Sequence, residues 1–109
     1  MQFKVLAASA IALAAPALSA SCERRDSFGS WQYRVRAGGV SNIPGVCGGL
    51  WSNLKQFAAC PVGVIAECSD LEGGNMTWEF TVGKGCNSGM VEATWWDATE
   101  NRWGGINCP

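Results

Sequence analysis

The chain has 109 residues, eight Lys or Arg, nine Asp or Glu, and no histidine. A net charge of −1 without a basic run argues against nucleic acid and against an anionic membrane surface as partners. The lack of histidine removes the commonest general base, metal ligand and pH switch together.

The N-terminus reads as a secretory signal peptide. Lys4 precedes an apolar run from Val5 to Ala15, and Pro16 with the small residues up to Ala20 supplies a cleavage region. The run is too short for a membrane anchor, and no later apolar run is long enough to span a bilayer. Cleavage is expected after Ala20, with residues 1–20 as signal and 21–109 as one domain. Removing 20 of the 109 residues leaves 89, and without Lys4 seven basic residues face nine acidic ones, a net of −2. A domain this small buries only about 60–65% of the surface its unfolded chain exposes. All six cysteines, Cys22, Cys47, Cys60, Cys68, Cys86 and Cys108, follow the signal. An even count in a short secreted chain predicts three disulfides, each contributing about 2–4 kcal/mol. Fifteen pairings are open.

Cys22 to Asp26 is polar and expected along the surface. Phe28 to Arg36 alternates, with Trp31, Tyr33 and Val35 on one face and Gln32, Arg34 and Arg36 on the other, which predicts a half-buried strand. Ser41 to Cys47 reads as a turn-rich loop around Pro44-Gly45. Leu50, Leu54, Phe57 and Ala58 recur at helical spacing, so one main helix is expected after Gly48-Gly49 and before Pro61. Cys47 and Cys60 would bracket it. Pro61 to Ile65 is short and apolar, and Cys68 to Asn75 reads as a polar turn. Met76 to Val82 is the clearest strand, with Met76, Trp78, Phe80 and Val82 on one face.

Cys86 to Cys108 holds three of the six tryptophans. As a hairpin turning at Ala98 to Asn101, it sets Asp97 opposite Arg102 and Trp96 opposite Trp103. Val91, Ala93, Trp95 and Ile106 then face inward. Glu92, Thr94, Trp96, Trp103 and Asn107 face out. In that geometry Cys86 and Cys108 come near one strand end, and a Cys86–Cys108 bond is expected. A helix capped by Asn87 or Ser88 and ended by Gly104 is the competing reading. It is disfavoured by Val and Thr, which are mediocre helix formers, and because it scatters Trp96 and Trp103.

Six tryptophans are too many for a thin core to hide. Paired exposed aromatics mark a binding surface or a subunit interface, here a glycan site or a homodimer contact. A sugar site needs flat aromatic faces and a few fixed polar groups. Trp96 and Trp103, with Glu92, Thr94 and Asn107 beside them, supply that mixture, and the region around Trp31 and Tyr33 is the fallback. No carboxylate pair is marked for glycosidase work, and no cofactor or metal is expected. Asn75-Met76-Thr77 fits the N-glycosylation pattern at Asn75.

Three segments together resemble a known family: VCGGLWSNLKQFAAC at 46–60, TWEF at 77–80 and CNSGMVEATWWDATENRWGGINC at 86–108. They are similar to small secreted fungal glycan-binding proteins typified by a mushroom lectin for a fucosylated LacdiNAc-type glycan, some of which are named plant-virus resistance proteins. The resemblance implies a single α+β domain, carbohydrate binding, no catalysis and a part in defence. The expected fold is therefore a small disulfide-stabilised α+β domain, antiparallel strands and a hairpin packed with one helix. The expected function is a secreted lectin. A secreted effector or toxin acting through a protein partner is the alternative.

Overall fold

The structure, a computed structural model, describes residues 20–109. The expected signal peptide lies outside the described residues apart from Ala20. The fold is α+β, a four-stranded antiparallel sheet with two helices on one face. Its elements are β1 (Ala20–Ser27), β2 (Ser30–Ala37), α1 (Ile43–Leu54), β3 (Val62–Glu72), β4 (Asn75–Gly83) and α2 (Ser88–Thr99). The sheet order is β1-β2-β4-β3. Both hairpins close on two left-handed residues, Phe28-Gly29 and Gly73-Gly74. That turn matches the right-handed strand twist.

The alternation read in β2 and β4 sets the core. Tyr33 pairs with Phe80, Val35 with Trp78 and Ala37 with Met76. These residues are buried against the helices. Trp78 packs on Phe80 with ring centroids 4.6 Å apart and planes tilted by 40°, and Trp51 of α1 meets both rings edge-on. The polar stretch Cys22 to Asp26 is not loose surface chain but edge strand β1, paired with β2 over its whole length. The stretch read as a short apolar run and a turn is one long edge strand, β3, with irregular pairing at Val62/Ala66 and Asp70/Glu72.

Helix α1 starts earlier than its stripe suggests. Asn42 caps it, its side chain accepting from the Gly45 amide at 3.4 Å, and Pro44 sits in the first turn. Three glycines cost roughly 1 kcal/mol each in a helix. Burial of Ile43, Val46, Cys47, Leu50 and Leu54 offsets that. At Gly49 α1 faces Ala98 of α2, and an added Cβ would lie 3.7 Å from the Ala98 Cβ, an ordinary van der Waals contact. The helix ends at Leu54, so Phe57 is only half-buried and Ala58 is exposed.

The expected hairpin over 86–108 is not formed, and residues 88–99 are helix α2. Asn87 is its cap, accepting from the Met90 amide at 3.0 Å. Two threonines that argue against a helix are absorbed by it. Thr94 donates to the Met90 carbonyl at 2.8 Å and Thr99 to the Trp95 carbonyl at 2.7 Å, so neither hydroxyl is stranded in the core. The chain leaves α2 through left-handed Glu100 and Asn101.

The Cys86–Cys108 bond predicted from the hairpin is absent. The pairs are Cys22–Cys108, Cys47–Cys68 and Cys60–Cys86. The first ties the edge strand β1 to the C-terminus. The second joins α1 to β3, and the third joins the turn after α1 to the turn before α2.

Candidate functional site

The C-terminal segment after α2 runs back along that helix. The Trp95 indole donates to the Gly104 carbonyl at 2.8 Å. Gly105 lies against the six-membered ring of Trp96, where an added Cβ would sit 3.7 Å from Cε3. One turn nearer the helix start, Glu92 Oε2 accepts from the Cys108 amide at 2.8 Å. At the first turn the Ser88 hydroxyl donates to the Pro109 carbonyl. Left-handed backbone at Gly104, φ 82°, turns the segment back.

The arrangement sorts the expected site residues. Trp96 is 51% exposed, with one ring edge on Gly105. Glu92 is four residues before it and so lies on the same side of the helix. Its Oε2 is held by Cys108, and Oε1 remains as an acceptor. Asn107 is exposed between buried Ile106 and half-buried Cys108. These three form a strip along α2 and the C-terminal segment. Thr94 does not belong to it. It is 1% exposed and bonded to its own helix, because two residues from Glu92 is the opposite side of a helix. Trp103 does not face Trp96 across a hairpin. It is half-buried past the helix end, its indole donates to the Gly39 carbonyl at 3.0 Å, and the Arg102 guanidinium lies 4.9 Å from its ring. Asn75 is exposed at the start of β4, where its amide donates to the Glu72 carbonyl at 3.1 Å.

The fallback region is closed. Tyr33 is fully buried and its hydroxyl donates to the Cys86 carbonyl at 3.0 Å. Trp31 carries two cations against its ring, Arg24 at 3.9 Å and Lys84 at 4.3 Å.

Sequence reasoning missed a polar slot on the sheet face away from the helices. It encloses about 140 Å³ between Glu23, Arg25, Gln32, Arg34 and Glu79. Arg34 bridges Glu79 at 3.2 Å and Glu23 at 3.8 Å, and Gln32 also donates to Glu79. Burial raises the pKa of the Glu79 carboxyl, but hydrogen bonds from Arg34 and Gln32 and the charges of Arg34 and Arg25 outweigh it, leaving the pKa below the ordinary 4.5. Alternation pointed Gln32, Arg34 and Glu79 outward. The pairing of β2 with β4 that brings them together was not legible.

A pH dependence follows from the slot. A depressed carboxylate pKa adds stability above the unfolded pKa, and that stability is lost as pH falls through the folded one. Glu79→Gln should therefore melt lower than the parent near neutral pH. The gap should close as pH falls below about 4. Paired melting curves across pH check this, and a gap independent of pH would contradict it.

Among the described residues no three His, Cys, Asp or Glu cluster to hold a metal ion, and no helix is long and apolar enough to cross a membrane. Compared with protein-family models, curated proteins and solved structures, the chain finds no match.

Proposed function

We propose that the protein is a secreted lectin that binds a glycan on the Trp96 face of α2 without turning it over. The observation that supports this most is the half-exposed indole of Trp96 on the same side of α2 as the Glu92 carboxylate, which the Cys108 amide holds in place. A tryptophan left half in water forgoes part of the roughly 1.5–3 kcal/mol its burial would give. A sugar ring covering it recovers some of that, while Glu92 Oε1 and the Asn107 amide meet its hydroxyls. Trp103, whose indole is engaged with the Gly39 carbonyl, serves in this reading as packed support and not as a stacking platform. The three disulfides fit an oxidising compartment. The three segment resemblances to fungal glycan-binding proteins point the same way. An N-glycan on exposed Asn75 is part of this reading, and so is the alternative use of the Trp96 face in a homodimer.

A glycan array with the oxidised protein tests the function. The expected result is binding to a restricted set of glycans, abolished by the free sugar. Binding to none, with a monomer in sedimentation, would contradict it.

One observation favours the second reading, an effector acting through a protein partner. Phe28 is fully exposed at the β1–β2 turn, in a left-handed backbone that disfavours a bulky residue. Val64, 96% exposed, lines the same groove. An aromatic presented in this way suits a protein hot spot.

A further inference from the structure

The last turn of α1 and the start of β3 enclose a groove that is apolar apart from one cation. Leu54, buried, lines its base, and half-buried Trp51 and Phe57 stand on one side. Exposed Pro61 and Val62 stand on the other. The volume, about 380 Å³, falls at the lower end for small-molecule sites. Lys55 is the one charged residue among those lining the groove. Among the described residues its ammonium makes no ion pair.

The groove is framed before any ligand arrives. Successive tight turns follow the helix, with the Gln56 amide donating to Asn53, Phe57 to Leu54 and Cys60 to Phe57 at 2.9–3.1 Å. The Cys60–Cys86 bond then ties the last of these turns to the chain before α2. A cavity held in this way has little ordering entropy left to lose on binding. Edge-on contacts with Trp78 and Phe80 favour the ring position in which Trp51 lines the groove.

We infer that this groove binds a small amphipathic acid, a fatty or aromatic carboxylate. Its apolar body lies between Trp51 and Phe57 on one side and Pro61 and Val62 on the other, and its carboxylate pairs with Lys55. The charge decides the class. An apolar body alone fits any hydrophobe, but Lys55, the one charged lining residue, selects a ligand with one anionic end. The inference is independent of the glycan reading, which concerns residues of α2 and the C-terminal segment.

Two fluorescent probes of matched shape test it on the oxidised protein: anionic anilinonaphthalene sulfonate and neutral phenylnaphthylamine, each competed by decanoate. Both should give a saturable rise in emission that decanoate reverses. Lys55→Gln should weaken the sulfonate probe about three- to tenfold and leave the neutral one unchanged. Lys55→Met, which keeps the apolar stem, should do the same. Val62→Phe, which adds bulk to an exposed wall, should weaken both. Near-UV circular dichroism matching the parent establishes that each variant is folded. The inference is overturned by the absence of a saturable signal, or by equal loss of both probes in the two Lys55 variants. Displacement of both probes by neutral phosphatidylcholine vesicles that carry the protein down on sedimentation would also overturn it, since the surface would then be a membrane contact.

Discussion

Trp95→Ala is expected to destabilise the domain by about 3–5 kcal/mol, the range for emptying a buried aromatic site. Trp95 is fully buried on α2. Its indole N–H is also satisfied by the Gly104 carbonyl at 2.8 Å. Truncation removes the ring from between the helix and the core and leaves that carbonyl without its donor. A domain of this size holds roughly 5–10 kcal/mol in all, so the loss takes at least about a third of it. Calorimetry should show a melting temperature lower by roughly 10–40 °C. Trp95→Phe keeps most of the apolar burial and loses the hydrogen bond, and should cost about 1–2 kcal/mol. A Trp95→Ala protein that melts like the parent would mean that α2 does not pack through this residue.

Removing the Cys22–Cys108 bond comes next in size. The bond spans 86 residues, against 21 and 26 for the other two. Closing so long a loop restricts the unfolded chain most, and on the chain-entropy view it is worth about 4.6 kcal/mol. The bond also pins the C-terminal segment that lies against Trp96 and Glu92. In the double Cys22→Ala, Cys108→Ala protein, amides of residues 105–108 should exchange with solvent much faster. Those of Phe80 and its strand neighbours should exchange only as fast as the lowered global stability dictates. Unchanged protection at 105–108 would show that the hydrogen bond to Glu92 and burial of Ile106 hold the segment unaided.

The sheet core was legible because alternation is a local signal. Trp78, Phe80, Val35 and Tyr33 had to share a face whatever they packed against. Helix α2 was harder, yet part of its site survived the wrong element. Neighbours diverge in a strand and in a helix alike, so Trp95 turns inward and Trp96 outward in both. Residues four apart share a side in both, so Glu92 stays with Trp96. Residues two apart share a side only in a strand, and there the reading failed, since Thr94 is buried. The threonines misled on propensity because their hydroxyls bond back to the helix, which a propensity scale cannot show. Helix α1 was started too late because Pro44-Gly45 and Gly48-Gly49 look like loop. The cap at Asn42 and the burial of Ile43 and Val46 outweigh them. The disulfides depend on which strands lie side by side, and the order β1-β2-β4-β3 carries no local signature.

Calorimetric titration of the best array glycan into the parent and into Trp96→Ala tests the central proposal most directly. The expected result is a loss of about 1–3 kcal/mol in binding, roughly five- to 150-fold in Kd. The melting temperature should hold within a few degrees, because the ring lies on the exposed side of α2. Parent-like affinity in Trp96→Ala would contradict the proposal and move the site off this face of the helix.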